Sequence, residues 1–262
     1  MPDRFSSVLL KVEWARKHID HLHSEIMDFW SQHPYAIEIV GDPKNGKGSY
    51  RIKGDPPPLP DSLTLAAGDA AHNLRSALDH FACAVVATVT NDTAFPVWRK
   101  RRTPSAIEWR ALVLGKLQGA PQPLIAEVIS LEAYKGGAGQ DIWAMDELDR
   151  TDKHQLLIVV AGANTEVVID FGQVMVATLP DRSFGAAIPS LPISFRPEWT
   201  PVEKGAELFT VQDEKVFKAE PRFTFDVALA APYVLRGEPV VKVLRNMADE
   251  AQALLNRLIP LA

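Results

Sequence analysis

The sequence predicts an α+β protein, mainly a helical bundle with a β-hairpin after the first helix and a β-rich insertion before the last. Three observations lead there. The two ends carry matched apolar stripes: Val12, Ala15, Ile19, Leu22, Ile26 and Phe29, then Val240, Leu244, Met247, Ala251, Leu254 and Leu258. Both recur at spacings of three and four, as a helix with one buried face does. Between residues 164 and 235 the pattern becomes short β-prone runs. In the clearest of these, Phe223, Phe225 and Val227 alternate with Arg222, Thr224 and Asp226, the period of a strand with one buried side. Finally, 262 residues at 47% hydrophobic and 23% charged can bury a substantial core, which excludes a disordered, collagenous or rod-like chain.

Taken in order, the first helix stops at His33, because Pro34 disfavours the α conformation in the residue before it. Tyr35 to Val40 and Ser49 to Lys53, joined by GDPKNGKG, read as an antiparallel hairpin. Four prolines between Asp55 and Pro60 make a stiff connector. Asp61 or Ser62 then caps a second helix reaching Thr90. Ser105 to Lys116 and Pro123 to Tyr134 read as shorter helices, KGGAGQ (Lys135 to Gln140) as a flexible joint, and Asp141 to Ala161 as a further helix. Strands are expected at Thr165 to Asp170, Gln173 to Leu179, Ala206 to Val211 and Arg222 to Leu229. The helical core then covers 1–33, 61–163 and 238–260, and the β-rich parts 35–53 and 164–235, in one composite domain spanning 1–262.

A formal net charge of -5 gives no bulk attraction to nucleic acid or membrane. The longest apolar runs, such as Phe81 to Val89, fall well short of a bilayer span, and the start of the chain does not read as a secretory signal. The single cysteine, Cys83, fits a reducing cytoplasm and reads as a buried, inert thiol. Gly41 to Lys47 copies most of a phosphate loop, but Gly48 replaces the hydroxyl residue and a strand follows where a helix is needed, so a hairpin tip is expected. Asp170, Phe171 and Gly172 copy a kinase triplet without its partners. His18, His21, Glu25 and Asp28 lie along one side of the first helix and read as a solvated flank.

The second helix carries the candidate chemistry. At about 100° per residue, Asp69, His72, Asn73, Ser76, Asp79 and His80 share about one third of its circumference, with Arg75 at the edge. Leu74, Ala77, Leu78, Phe81 and Val85 take the other side. A solvated face normally fills with Lys, Glu, Gln and Arg. Asp, His, Asn and Ser are weaker helix formers, so their concentration here marks either a site or a buried polar network. Later, Asp149 and Asp152 lie on the side of their helix that carries Met145 and Leu156, which sends at least one carboxylate inward to a partner such as His72, Arg75 or His80. Lys153 follows them directly, and His154 falls on another side.

The string from His72 to His80 (HNLRSALDH), with Asp152, Lys153 and His154 further on, resembles a group of bacterial proteins without an assigned activity, over about the first two thirds of the chain. Separately, Arg75 and His80 form an R-x4-H spacing similar to that of HEPN-family nucleases. That resemblance implies a HEPN-like helical fold and a metal-independent endoribonuclease of toxin or defence systems, needing no cofactor and working on RNA. In such an enzyme His80 is the acid/base, Arg75 the phosphate fork, Asp79 or Asn73 the group orienting an imidazole, and His72 a second proton carrier. Residues five apart on a helix diverge by about 140°, so a homodimer apposing two copies would close the site. Arg99, Lys100, Arg101 and Arg102, beside Trp98, would hold an RNA backbone and stack a base. Two other readings stay open. Asp69, His72, Asp149 and Asp152 would serve as ligands of a metal-dependent hydrolase in a helical bundle. Alternatively the polar face is a structural network in a non-catalytic protein that binds a ligand or a partner protein.

Overall fold

The computed structural model describes residues 4–42, 47–154, 159–166, 200–211, 222–230, 232 and 235–262. Its elements are α1 (Ser6–Ser31), β1 (Ala36–Asp42), β2 (Lys47–Lys53), α2 (Asp61–Val85), α3 (Ala106–Lys116), α4 (Gln122–Leu131), α5 (Gln140–His154), β3 (Val159–Glu166), β4 (Thr200–Pro201), β5 (Glu207–Val211), β6 (Arg222–Leu229) and α6 (Val240–Leu258), closed by a 3-10 turn at Ile259–Leu261. The α+β class holds. Among the described residues no helix is long and apolar enough to cross a membrane.

The chain divides into two compact units. One comprises Met1–Ile26, Pro60–Val159 and Leu229–Ala262 and is helical; the other comprises Met27–Leu59 and Val160–Ala228 and holds the strands, Val159 and Leu229 apart. In the helical unit, α2 packs on α5 and on α6, which also touch one another. The stripes do nearly what their spacing predicts: Val12, Ala15, Ile19, Leu22 and Ile26 of α1 and Val240, Leu244, Met247, Ala251, Leu254 and Leu258 of α6 are all buried, and only Phe29 is partly exposed. Phe5 stacks on Phe81 with ring centroids 5.8 Å apart, tying the start of the chain to α2.

In the second unit β1 and β2 form the expected antiparallel hairpin, Ala36 opposite Lys53 and Asp42 opposite Lys47. β5 pairs antiparallel with the other edge of β2, with a bulge between Tyr50 and Arg51. A second sheet has the order β4-β3-β6. Ile52 and Leu208 form the apolar centre, with Tyr35, Ile37, Val202, Ala206 and Phe225 packed against it. Burial pushes the Tyr35 hydroxyl up to about 12.

Several boundaries differ from expectation. The second helix stops at Val85, not Thr90: Val86 turns to extended backbone, and the amide of Ala87 donates to the Gln118 carbonyl at 3.2 Å. The β-branched Val86, Thr88, Val89 and Thr90 favour that exit. Its N-cap is Pro60 without a side-chain cap, and Asp61 instead lies in the first turn, where a carboxylate complements the helix dipole. The helix expected to reach Ala161 ends at His154, and Val159 and Val160 open β3, where β-branched side chains fit a pleated surface. The KGGAGQ segment is not a loose joint. A Cβ on Gly137 would stand 2.2 Å from the Glu132 carbonyl oxygen, and one on Gly139 2.5 Å from that of Leu131. These glycines permit close backbone packing around Glu132, which itself is left-handed at φ 51° and ends α4. By contrast Ser105 starts α3 as expected, through a reciprocal capping box with Glu108. The expected strand Gln173 to Leu179 and the triplet at 170–172 lie outside the described residues.

Candidate functional site

α2 and α5 lie close enough to exchange side chains, and Gly68 shows how close. A Cβ there would stand 2.4 Å from Oδ1 of Asp152, so any larger residue would make that carboxylate shift away from α2. Two polar clusters follow along the contact.

The first is enclosed. Arg75 is 1% exposed and Asp146 likewise. Nε of Arg75 donates to Oδ1 of Asp146 at 2.7 Å, and Nη2 donates to the Phe95 carbonyl at 3.0 Å. Nη1 lies 2.7 Å from Oδ1 of Asp79 but is poorly aligned for a hydrogen bond, so that contact is ionic. Asp79 also accepts from the Phe95 amide at 2.8 Å. From the rim, Arg99 reaches the same Asp146 through Nε (2.7 Å) and Nη2 (2.6 Å), a bidentate pair. Burial on its own would raise Asp146. The hydrogen bond from Arg99 and the charges of Arg75 and Arg99 outweigh it, so the carboxyl rests below its ordinary value. Arg99 is raised in turn, chiefly by its hydrogen bond to Asp146.

This corrects the expected role of Arg75: a guanidinium sealed in the protein and committed on three sides is not offered to a phosphate. The sequence held a signal for it. Ala71, Arg75, Leu78 and Ala82 recur at four, three and four, and all are buried, so Arg75 stands inside the apolar stripe of α2. Asp146 and the Phe95 carbonyl were not among the expected site groups. Asp146 repeats the device on α5, four residues after buried Ile142 and three before buried Asp149.

The second cluster is half open. Nδ1 of His72 lies 2.9 Å from Oδ1 of Asp149, with the imidazole 47% exposed and the carboxylate 3%. Lys153, one turn on along α5, donates to Oδ2 of Asp149 at 2.6 Å. Nε2 of His72 faces Oγ of Ser76 at 3.3 Å, one turn on along α2. Asp149, buried although Arg150 next to it is exposed, therefore fixes the ring by Nδ1, and Nε2 is turned to the hydroxyl of Ser76.

The other expected residues part company. Asn73 is buried and bridges helices, donating to the Asp69 carbonyl at 2.8 Å and accepting from Lys11 of α1 at 3.0 Å. Asp69 is exposed, 4.0 Å from His18. His80 is exposed, and among the described residues no hydrogen bond or ion pair holds it. The proposed metal set is not gathered: among the described residues there is no group of three or more His, Cys, Asp or Glu suited to an ion, and Asp69 turns to His18 while Asp152 covers Gly68. His154 ends α5, and its side chain lies outside the described ones. In the basic run, Arg99 serves Asp146 and Arg102 pairs with Glu108, while Lys100 and Arg101 are exposed. Trp98 is 7% exposed and donates from Nε1 to the Arg102 carbonyl at 2.7 Å, so its ring is not available to stack a base, a second correction. Cys83 is partly rather than fully buried, its thiol pushed up by burial and by the nearby Asp79.

Comparison with protein-family models, with curated proteins and with solved structures finds no match. The reading of the site therefore rests on its own chemistry.

Proposed function

We propose that the chain is a metal-independent endoribonuclease whose proton carrier is His72. The observation that carries this is one geometry: a half-exposed imidazole fixed at Nδ1 by a buried carboxylate, with Nε2 toward the partly exposed hydroxyl of Ser76. Histidine is the side chain that titrates nearest neutrality when unperturbed, and a carboxylate on Nδ1 selects the tautomer and ring orientation that acid–base catalysis needs. RNA supplies its own nucleophile. Nε2 of His72 takes the proton of a 2′-hydroxyl, that oxygen attacks the adjacent phosphorus, and the 5′-oxygen leaves with a proton returned by the imidazolium. The exposed cations Arg99 and Lys153, each held in place by a buried carboxylate, face the negative charge on phosphorus; Lys100 and Arg101 extend the basic rim.

In this reading Arg75 is a positioning residue that holds α2 and α5 in register, His80 lies about 12 Å along the helix axis from His72 and takes no part, and no second copy of the chain is required. The test is cleavage of a fluorogenic RNA in excess chelator, with the 2′-O-methyl analogue as control. His72→Ala should lower turnover by about 10²-fold to 10⁴-fold while the melting curve stays close to wild type. A wild-type protein that leaves RNA intact, or a His72→Ala variant as active as wild type, overturns the proposal.

A second reading is favoured by the sealed Arg75, Asp146 and Asp79 cluster: the whole polar face is structural, in a protein that binds a ligand or partner elsewhere. It expects no RNA cleavage by wild type.

A further inference from the structure

The contact between His72 and Ser76 has a second chemical meaning. Oγ of Ser76, Nε2 and Nδ1 of His72, and Oδ1 of Asp149 form an unbroken chain, at 3.3 Å and 2.9 Å. Its order is hydroxyl, imidazole, buried carboxylate. That is the constellation that activates a serine oxygen, and such a constellation is recognised by geometry and roles rather than by fold or order in the chain. Ser76 and His72 are one helical turn apart, so the α2 backbone sets their contact, and Asp149 comes across from α5. Ser76 is partly exposed and the imidazole half exposed, so a small electrophile reaches both.

The geometry points to Ser76 as a nucleophile that takes the acyl group of a small carboxylic ester. Oγ attacks the carbonyl carbon while its proton passes to Nε2 of His72. The carbon–oxygen bond to the alcohol breaks, and the alcohol leaves with that proton. Water then attacks the acyl-serine, giving its proton to Nε2, and the acid departs as Ser76 recovers a proton. Asp149 stabilises the imidazolium at each stage. Arg99 provides the donor for the oxyanion. Its Nε and Nη2 are spent on Asp146, and Nη1, which has no partner among the described residues, is the donor left over.

This inference rests on His72 as the proton carrier and not on RNA as the substrate. The full-length protein is treated with an alkyl fluorophosphonate, which phosphonylates an activated serine oxygen with loss of fluoride, and its intact mass and peptides are read. One adduct on Ser76 is expected, together with hydrolysis of p-nitrophenyl acetate above the buffer rate. Ser76→Ala should abolish both, and His72→Gln should slow adduct formation by at least about 10²-fold with melting unchanged. No adduct after prolonged exposure, an adduct at another residue, or Ser76→Ala behaving as wild type overturns the inference. The two proposals fail separately: cleavage of RNA without an adduct overturns this one alone, and an adduct on Ser76 without RNA cleavage overturns the ribonuclease alone.

Discussion

The two polar clusters between α2 and α5 are built from the same parts and end in opposite states. In each, a basic side chain of α2 meets a carboxylate of α5 that is nearly inaccessible, and a second cation closes on that carboxylate from the rim: Arg75, Asp146 and Arg99 in one, His72, Asp149 and Lys153 in the other. The difference lies in where the α2 residue stands. Arg75 is within the apolar stripe and must be neutralised on every side, whereas His72 is three residues back, on the flank, with its ring half exposed and Nε2 toward the partly exposed Ser76. One pair of helices thus carries a rigid brace and, beside it, an oriented imidazole that solvent reaches.

The largest expected effect breaks the brace. Arg75→Ala leaves Asp146 buried with only the rim cation, and Asp146→Ala leaves a buried guanidinium with Asp79 as its only anionic partner beside the Phe95 carbonyl. Breaking a buried pair from one side costs about 3–5 kcal/mol, so both variants should lose that much in urea unfolding. A loss below about 1 kcal/mol would make the enclosed cluster no brace.

Acid weakens the brace in a defined direction. Asp146 rests below its ordinary value in the folded chain, so near pH 4 the unfolded state binds more protons than the folded one. The stabilisation is complete above the unfolded value near about 3.9 and is lost as pH falls through the lower, folded value. The gap in unfolding free energy between wild type and Asp146→Asn should therefore narrow steadily below about pH 4. Parallel curves down to the acid limit would assign the depressed carboxyl no share of stability. Other acids titrate alike in both proteins and cancel in the difference.

How much of this was readable in the sequence depends on distance along the chain. The stripes of α1 and α6, the hairpin and the start of α3 follow from local spacing and capping, and they appear where expected. The polar strip of α2 was legible as a group of unusual composition, and so was the inward lean of one carboxylate on α5. What spacing did not settle was which members are sealed. That is decided by Asp146, 71 residues from Arg75, and by Asp149, 77 residues from His72. The glycines at 137 and 139 misled for a related reason: their composition suits a loose linker, but the backbone of Leu131 and Glu132, which fills the space a side chain would need, is a tertiary fact.

The smallest effects sharpen the comparison most, since they separate an oriented imidazole from an idle one on the same helix. His72→Ala removes one of two partners of a buried carboxylate, and Lys153 keeps the other oxygen, so a loss of about 1 kcal/mol is expected. His80→Ala removes an exposed ring that no described residue holds, and its stability should stay within about 0.5 kcal/mol of wild type. The same pair divides activity in the other direction from the R-x4-H spacing: turnover on RNA should collapse in the first and persist in the second. Equal unfolding curves with the activities reversed would move the proton carrier to His80. The enclosed Arg75 would still be a brace, but the oriented imidazole beside it would then have no chemical role, and the open cluster would differ from the sealed one only in exposure.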